Sequence, residues 1–361
     1  MKKFAFFLPQ FHEIQENNEW WGQGFTEWVN VKNASPLYAG HLQPKKPLGD
    51  NYYNLLEKET VEWQTNLMKK YGVDGMIYYH YYFCGKKLLE KPAENLLEWK
   101  DIPQNFFFCW ANHSWCRSWN GSKELLLEQT YGSKKEWEEH FSYLLPFFKD
   151  DRYEKKNNKP VFMIYDPSFK ERKEMFDFFD AQCKKNGFDG ICIIETYSAR
   201  NWPMDLEELK AHKSTQTAYV FLREPALSQY LYALASKVSL RRVVNKIRRT
   251  LAERGIGKYV MKFSGNKLFD LQMKHYQYSD DVLHGLFFEW DNTPRHKHRG
   301  YIIEPVDKVH FLRYMETIKG EEYVFINAWN EWAEGMMLEP TEENGYKYLE
   351  WIKEASETID G

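Results

Sequence analysis

The chain lacks the features that mark several large classes of protein. Its 361 residues include five cysteines, which are odd in number, widely spaced and without a CxxC pair. This pattern argues against a disulfide framework and against a cysteine-based zinc site, and it indicates reduced thiols. The formal net charge is only −3, so nothing in the overall charge suggests a nucleic acid as partner.

Long apolar runs are also missing. The first residues read MKKFAFFLPQFHE, and their apolar run covers only residues 4–8. A signal peptide needs a longer apolar region and a small-residue cleavage site, so we predict a first strand here instead. No later segment is apolar enough to cross a bilayer. We therefore expect no transmembrane segment and a cytoplasmic location.

Nucleotide-binding patterns are absent from the sequence as well. No Gly-rich phosphate loop follows a predicted strand, and there is no clear DxD. This disfavours a nucleotide-sugar donor but leaves a lipid-linked donor open. The run His296-Lys297-His298 lacks the carboxylate partner at known spacing that a metal site would need. We expect neither a metal nor a cofactor.

Aromatic residues are what the chain has in excess. It contains 14 Trp, 24 Tyr and 25 Phe, together 17% of the sequence. A large aromatic core explains many of them, but others stand beside polar residues in loop-like segments. Clustered exposed aromatic rings provide the surfaces on which sugar rings stack. An oligosaccharide or polysaccharide is therefore the expected partner.

Eight nearly continuous apolar runs alternate with helix-like segments. Parallel strands that are buried on both faces have this character. The predicted strands cover residues 4–8, 75–82, 105–110, 161–165, 190–195, 217–221, 285–289 and 323–328. Amphipathic segments at 60–71, 134–149 and 170–186 precede the second, fourth and fifth of them. This alternation predicts an α/β protein, and eight strands favour a closed (β/α)8 TIM barrel over a doubly wound sheet.

No internal repeat, low-complexity tract or flexible linker divides the chain. We therefore predict a single catalytic domain over residues 1–361, with elaborated βα loops. In βα barrels the active site lies at the C-terminal ends of the strands. Polar and aromatic residues concentrate after strands 1, 2, 3, 7 and 8, so these loops are expected to build the site.

The strongest local motif, NEWAEG at residues 330–335, follows the eighth strand. It places Glu331 and Glu334 three residues apart on a tight turn, where both carboxylates can face one cavity. Glycosidic cleavage needs two such groups, one to protonate the leaving oxygen and one to stabilise or attack the sugar carbon. Close carboxylates also push their pKa values apart, so that one stays protonated near neutral pH. A solvated acidic turn is the alternative, and the interleaved Asn330 and Trp332 argue against it.

NEWAEG, followed by Leu338-Glu339-Pro340, resembles the NEWxEG…xEP motif of family 99 glycoside hydrolases. The chain resembles still more closely their relatives, the WbsX-type proteins of polysaccharide gene clusters, which are described as glycosyltransferases or as family-99-like domains. The matching stretches cover nearly the whole chain: FLPQFH at 7–12, WG at 21–22, GFTEW at 24–28, QPKKPLGDNYY at 43–53, GMIYYHYY at 75–82, WAN at 110–112 and EWDN at 289–292.

This resemblance implies a (β/α)8 barrel and retaining chemistry at an α-linked, mannose-like sugar. In family 99 enzymes that act on mannosides, the first glutamate of the motif deprotonates the sugar 2-hydroxyl, which attacks the anomeric carbon. The second glutamate protonates the leaving group and later activates water. The resemblance thus makes Glu331 the 2-hydroxyl base and Glu334 the acid/base. The chain departs from the family at Ala333 and at Met336-Met337, where family 99 tends to carry polar residues.

Carboxylates after other strands are further candidates. Glu289 and Asp291 flank Trp290 after strand 7. One of them could be the nucleophile of a conventional double displacement; alternatively, both bind sugar hydroxyls or hold Arg295. Glu27, after strand 1, either binds sugar or orders its loop.

The remaining candidates are polar or aromatic residues near the predicted barrel mouth. The segment WANHSW after strand 3 either alternates stacking rings with hydrogen-bonding groups or forms a buried Trp cluster with a satisfied His113. His80, among tyrosines, is either structural or substrate-binding. The predicted substrate-binding set is completed by Gln10, His12, Trp28, Tyr81, Trp110, Asn112, Trp115, Asn330 and Trp332.

Residues 237–258 form the one basic segment. Its apolar residues fall at helical spacing: Leu240, Val243, Val244, Ile247 and Leu251. This predicts an amphipathic helix with a basic face. The face is either solvated or makes a peripheral contact with an anionic surface, such as a lipid-linked glycan at a membrane.

Three functions follow from these observations. The first is a retaining glycoside hydrolase, or transglycosylase, that cleaves an α-linked glycan with Glu331 and Glu334 as acid/base pair. The second is a glycosyltransferase in the biosynthesis of a cell-surface polysaccharide. The third is a noncatalytic carbohydrate-binding barrel, against which the presence of both glutamates argues.

Overall fold

The computed structural model describes residues 1–117, 124–198, 206–223, 239–256 and 259–359. Eight parallel strands among these residues form a barrel. Each pairs with its neighbours in chain order, and β1 pairs with both β2 and β8, which closes the sheet. The strands are β1 (Lys2–Phe7), β2 (Gly75–Phe83), β3 (Phe106–Trp110), β4 (Lys159–Ile164), β5 (Cys192–Ser198), β6 (Tyr219–Arg223), β7 (Val282–Phe287) and β8 (Tyr323–Asn327). The predicted (β/α)8 TIM barrel is confirmed.

All eight predicted strands are present, with ends displaced by at most three residues. Aromatic side chains fill the interior, as the high aromatic content suggested. The Phe221 and Phe325 rings meet edge to face at 5.0 Å, and both are fully buried. Gly285, on the strand between those of Phe221 and Phe325, leaves space for the two rings. A Cβ at this position would lie only 2.9 Å from the Phe221 ring. A large aromatic core therefore accounts for much of the aromatic excess.

Twelve helices lie within the described part of the chain. They are α1 (Gln15–Trp21), α2 (Glu27–Lys32), α3 (Lys58–Lys70), α4 (Lys91–Glu98), α5 (Lys134–Phe148), α6 (Arg172–Lys185), α7 (Leu206–Ala211), α8 (Ser239–Glu253), α9 (Gly265–His275), α10 (Thr293–His296), α11 (Lys308–Thr317) and α12 (Lys347–Ile359). The three predicted amphipathic segments are present as α3, α5 and α6. Each packs an apolar stripe inward, as in α5, where Phe141, Leu144 and Phe148 are buried.

Short elements elaborate the C-terminal ends of the barrel strands. After β3, Trp115–Arg117 pairs with Glu124–Leu127. After β7, Trp290–Asp291 joins Tyr301–Glu304 and Met261–Ser264 in a separate three-stranded sheet. After β8, Asn330–Glu331 pairs antiparallel with Met336–Met337 around a 3-10 turn, Trp332–Glu334. The remaining short elements are the strands Lys86–Leu88 and Lys155–Lys156 and the 3-10 turns Leu48–Asp50 and Lys297–Arg299.

The amphipathic helix predicted within residues 237–258 is present as α8. Residues 237–238 and 257–258 of that segment lie outside the described residues. None of the helices described is long and apolar enough to cross a membrane.

Candidate functional site

A cavity of about 410 Å³ opens where the loops after the barrel strands converge. Its walls are formed by Leu8, Gln10, Trp21, Glu27, Tyr79, Tyr81, Ala111, His113, Ser114, Trp115, Cys116, Leu126, Tyr165, Arg295, Asn327, Glu331, Glu334 and Met336. Six predicted site residues are among them: Gln10, Glu27, Tyr81, Trp115, Glu331 and Glu334. Within the described part of the chain, no group of three or more His, Cys, Asp and Glu side chains is arranged to hold a metal ion.

The turn after β8 brings both motif glutamates to this cavity. Gly335 ends the 3-10 turn with a φ of +62°, a left-handed conformation that favours glycine. A Cβ at Gly335 would also lie only 3.0 Å from the backbone nitrogen of Asp291, so the close approach of the β7 loop favours a glycine here as well. The tight turn directs Glu331 and Glu334 to the cavity, while Trp332 between them is buried.

A buried carboxylate anchors that turn from behind. The Nε1 of Trp332 donates to Oε2 of Glu339 at 2.7 Å, and the hydroxyl of Tyr53 donates to the same oxygen at 2.8 Å. Gln64 donates to the other oxygen at 2.7 Å. Burial raises the pKa of Glu339 to about 7, against the lowering effect of these donors. Trp332 is thus an anchored residue beneath the site and not a stacking surface.

Asn330 holds the other side of the turn. Its Oδ1 accepts from the backbone nitrogen of Leu8 at 2.7 Å, and its Nδ2 donates to the carbonyl oxygen of Leu8 at 3.0 Å. These two bonds fix the β8 turn to the chain directly after β1. Asn330 is fully buried and therefore positions the turn without facing the cavity.

Arg295, on α10, links three carboxylates in the cavity. Its Nε donates to Oε1 of Glu27 at 3.0 Å and its Nη2 to the same oxygen at 2.5 Å. Nη2 also lies 3.3 Å from Glu331, and Nη1 donates to Glu334. Neither Glu289 nor Asp291 holds this arginine, which was one of the alternatives for these two residues, because Glu27, Glu331 and Glu334 contact it instead.

The ion cluster shifts the ionisation of its members. Burial raises the pKa of Glu331 to about 8, the charge of Glu334 adds to the rise, and Arg295 opposes it. Burial also raises the pKa of Glu27, again opposed by Arg295. Burial lowers the pKa of the Arg295 guanidinium, but Glu27, Glu334 and Glu331 outweigh it, so the net shift is upward. Burial and the neighbouring charge of Glu334 thus favour the protonated form of the Glu331 carboxyl, and Arg295 favours the ionised form.

Aromatic rings contribute much of the remaining wall. Trp115 contacts Tyr81 edge to face at 5.1 Å, and Tyr79 contacts Tyr165 in the same way at 6.2 Å. Trp21 lies on the wall as well. Trp21, Tyr79 and Tyr165 were not among the site residues predicted from the sequence. Strand alternation could have found Tyr79, because residues two apart on β2 share a face with Tyr81.

Ten predicted substrate-binding residues do not line the cavity. They are His12, Trp28, His80, Trp110, Asn112, Glu289, Trp290, Asp291, Asn330 and Trp332. All except Glu289 are buried, and Glu289 is half-buried. The structure therefore does not place these ten residues on the cavity wall, and their role in substrate binding stays a prediction.

The residues after β7 turn away from the cavity into ion pairs of their own. Glu289 lies 2.6 Å from the Nζ of Lys45. Asp291 accepts from Gln43 and contacts His41, each at 2.7 Å. Trp290 does not line the cavity either, because Trp290–Asp291 is part of the separate three-stranded sheet. Neither carboxylate is placed to attack a sugar in the cavity.

The candidate residues on β2 and β3, His80 and Trp110, are packed outside the barrel interior. His80 alternates with Tyr81 on β2, so it points to the opposite face, where its Nε2 lies 2.9 Å from that of His140. Burial lowers the pKa of His80 to about 3. Trp110 donates to the carbonyl oxygen of Tyr82 at 3.1 Å. The structural alternatives apply to both residues.

Three further candidates also have structural partners or surroundings. Asn112 donates to the carbonyl oxygen of Asp166 at 2.6 Å, which joins the β3 and β4 loops. Trp28 donates to the carbonyl oxygen of Tyr53 at 2.8 Å. His12 is buried, and burial lowers its pKa to about 4, so it is neutral at physiological pH.

The solved structures with related folds include a GH99 endo-alpha-mannosidase and a glycoside hydrolase-like protein. The GH99 endo-alpha-mannosidase from Bacteroides thetaiotaomicron matches with a TM-score of 0.55 and 12% identity, over 99% of this chain and 97% of that one. A glycoside hydrolase-like protein matches with a TM-score of 0.59 and 12% identity, over 98% of this chain and 93% of that one. At this identity the matches show the fold alone.

Sequence relatives give the family. The uncharacterized protein WxcX of Xanthomonas campestris pv. campestris (strain B100) is 30% identical over 97% of this chain, and 29% identity is found with WxcX of strain ATCC 33913. The chain spans about half the length of these relatives, 49% in each case. A family model described as Glycosyltransferase WbsX matches residues 3–352. The resemblance noted in the sequence is thereby confirmed, and the chain belongs to the WbsX glycosyltransferase family.

Proposed function

We propose that this chain is a carbohydrate-active enzyme, a retaining glycoside hydrolase or transglycosylase that acts on an α-linked, mannose-like glycan. Glu331 and Glu334 are its acid/base pair. One observation carries the proposal: a single turn presents both carboxylates to one cavity at the barrel mouth. Glycosidic cleavage needs two carboxylates near the scissile bond, and βα barrels place their catalytic groups at this end of the strands.

The other walls of the cavity support a sugar ligand. A volume of about 410 Å³ falls within the range of small-molecule sites, roughly 300–1,000 Å³. Tyr81 and Trp115 offer apolar ring faces, while Gln10 and Asn327 offer hydrogen-bonding groups. A sugar ring has this mixed character, with apolar C–H faces and a polar rim of hydroxyls.

The second candidate is a glycosyltransferase in the biosynthesis of a cell-surface polysaccharide. The observation in its favour is membership of a family described as Glycosyltransferase WbsX. The same two carboxylates would serve, because transfer and hydrolysis differ in whether a sugar hydroxyl or water attacks in the last step. A noncatalytic carbohydrate-binding barrel is the least supported candidate, because it leaves the paired glutamates without a role.

The hydrolase proposal is tested with a library of α-linked oligosaccharides and the variants Glu331→Gln and Glu334→Gln. Each variant is expected to lose about 100-fold to 10,000-fold in rate, or roughly 3–5 kcal/mol of barrier, because each glutamate takes part in proton transfer. The matched control is Glu343→Gln, an exposed glutamate on the loop after the motif, which should keep parental activity. Activity is expected to survive EDTA and to need no nucleotide.

Two results would redirect the assignment. If both variants keep parental activity while Glu289→Gln or Asp291→Asn abolishes it, the chemistry belongs to the β7 loop. If product forms only when a glycan acceptor is supplied with an activated donor, and never with water alone, the transferase candidate replaces the hydrolase.

A further inference from the structure

We propose that Glu27 is a positioning residue: it binds the guanidinium of Arg295 and so keeps that cation from forming a tight ion pair with Glu331. This inference deepens the proposed function and rests on it for the consequence in turnover. From the sequence, Glu27 either binds sugar or orders its loop, and the contacts of its side chain point to a third role.

The position of Glu27 is fixed by its backbone and by the packing of α2. Its backbone N–H donates to the carbonyl oxygen of Gln10 at 2.9 Å. The next residue, Trp28, packs its ring against that of Trp332 at 5.4 Å, so α2 contacts the turn that carries Glu331. Only 1% of the Glu27 side chain is exposed. A carboxylate that is buried and held in this way is suited to orient a neighbouring cation.

The guanidinium nitrogens are shared unequally among the carboxylates. Nε and Nη2 of Arg295 both donate to Oε1 of Glu27, at 3.0 and 2.5 Å. Glu331 shares Nη2 at 3.3 Å, and Nη1 donates to Glu334. Hydrogen bonds from a cation to a carboxylate are strongest when they are short. Glu27 therefore has the stronger claim on Nη2, and Glu331 is bound to it only loosely.

The ionisation of Glu331 depends on this sharing. The groups that face it are Glu334 on its own turn, Arg295 on α10, Glu27 on α2 and Tyr81 on β2. Burial raises the pKa of Glu331 to about 8, Glu334 and Glu27 add to the rise, and Arg295 opposes it. The other titratable side chains on the described wall of the cavity are His113, Cys116, Tyr79 and Tyr165. Glu27 thus acts on Glu331 in one direction by two routes, through its own charge and by occupying Nη2.

Loose pairing suits a carboxyl that has to exchange a proton with a substrate. Such a group works best when its pKa lies near the working pH. A tight pair with an arginine would lower the pKa of the carboxyl by about 1–3 pH units and would occupy one of its oxygens. By holding the guanidinium, Glu27 leaves Glu331 available in the cavity. This holds for proton transfer in either direction, so the roles of Glu331 and Glu334 in the reaction are unaffected.

The competition for Arg295 can be measured without a substrate. Protein labelled with ¹³C at the glutamate carboxyl carbons is titrated by NMR, and the Glu331 resonance is assigned with Glu331→Gln. In Glu27→Gln, which keeps the side-chain volume, the midpoint of Glu331 is expected to fall by about 1 pH unit or more, because Nη2 becomes free to bind it. The matched control Glu19→Gln removes an exposed carboxylate from α1 and should leave the midpoint in place. An unchanged or higher midpoint in Glu27→Gln would overturn the inference.

Two further measurements separate positioning from the charge of Glu27 alone. In an Arg295→Gln background, Glu27→Gln should move the Glu331 midpoint less than it does in the parental protein, because only the direct charge effect remains. Equal shifts in both backgrounds would show that Glu27 does not act through the arginine. In the parental protein, Glu27 should titrate below Glu331, with its resonance assigned by Glu27→Asp. The opposite order overturns the inference even if Glu27→Gln does not fold, because a protonated Glu27 cannot compete for the cation.

Turnover distinguishes this inference from the proposed function. With α-linked oligosaccharides as substrates, the limb of the kcat/KM profile that coincides with the Glu331 midpoint should move to lower pH in Glu27→Gln and stay in place in Glu19→Gln. A limb that stays in place while Tm falls means that Glu27 only supports the fold, and the inference falls. If the parental protein turns over none of the oligosaccharides while the NMR midpoints shift as expected, the proposed function fails and the role of Glu27 in the ion cluster stands.

Discussion

Residues outside the cavity determine where its two glutamates point. Glu339, Tyr53 and Gln64 form a buried hydrogen-bonded group behind the β8 turn, and Trp332 is fixed to it by its indole N–H. Because Trp332 stands between Glu331 and Glu334 in the chain, its position sets the spacing of both carboxylates. Residues that never touch a sugar are thus expected to matter for turnover.

This view predicts the effect of Glu339→Gln. A glutamine keeps the volume but offers one acceptor oxygen where two are needed, so its NH2 group faces at least one donor. A buried donor left without a partner costs about 1–3 kcal/mol, which should lower Tm by a few degrees. Turnover should fall as well, because the turn loses its anchor. Calorimetry and rate measurements on the variant check this.

The control for that prediction is Glu343→Gln, which changes an exposed carboxylate on the same loop. If Glu339→Gln has the same Tm and the same turnover rate as this control, the buried hydrogen-bonded group does not hold the β8 turn. A lower Tm with an unchanged turnover rate would mean that Glu339 has a structural role only.

At the level of elements, the connection after β7 supplies a cation, Arg295, to the two glutamates of the turn after β8. The helix α10 carries Arg295 into the cavity, and the strand Trp290–Asp291 packs against Gly335 at the end of the β8 turn. Asp291 is held there by His41 and Gln43 from the loop after β1. Three loops thus support one another, which is how a barrel assembles a site from separate strand ends.

The helix α8 borders this region and leads to an element-scale prediction. Ile247 and Leu251 are 53% and 37% exposed, beside the exposed Lys246, Arg248 and Arg254. Apolar and basic side chains together suit an anionic lipid surface, where each cation contributes about 1 kcal/mol. We expect the protein to co-sediment with vesicles that contain anionic lipid, more than with zwitterionic vesicles, and less at high salt.

The variant Ile247→Ser/Leu251→Ser should weaken that binding. Val309→Ser on α11 is the matched control, because Val309 is 65% exposed on a different helix. If anionic and zwitterionic vesicles bind equally, or if the control loses as much binding, α8 has a solvated face and the membrane contact predicted from the sequence is wrong.

At the level of the whole molecule, β1 and β8 are paired, so the first and the last barrel strands belong to one closed sheet. The helix α12 packs back on the barrel, with Tyr348 stacked on Phe288 at 4.5 Å. We therefore predict that residues 1–361 unfold in one cooperative transition, although the chain spans only half the length of its WxcX relatives. Calorimetric and van't Hoff enthalpies should agree.

Two separable transitions would contradict this single-domain prediction. The deletion of residues 347–361 offers a second measurement. Because α12 buries Leu349 and Ile352 completely, its removal should prevent stable folding of the whole barrel and not of one part alone. A shortened chain that keeps the parental Tm would show that α12 is an appendage.

The sequence alone determined the barrel and the turn that carries Glu331 and Glu334. Parallel strands buried on both faces must be apolar throughout, so eight apolar runs predict eight strands wherever they occur in the chain. The motif NEWAEG is equally local, because three residues on one turn suffice to bring Glu331 and Glu334 to the same cavity. Such patterns can be recognised in the sequence, because the burial of a strand residue and the geometry of a turn depend mainly on residues that are near in the chain.

The tertiary structure alone decided which other side chains reach the cavity. Arg295 meets Glu27 across 268 positions of the chain, and no spacing rule relates two residues so far apart. His80 and Tyr81 are adjacent in sequence, yet only Tyr81 faces the cavity, because neighbouring side chains on a strand point to opposite faces. The side chains of Glu289 and Asp291 were turned away by partners from the β1 loop. Such partner choices depend on the distances between strand ends in the closed barrel, which the order of residues does not contain.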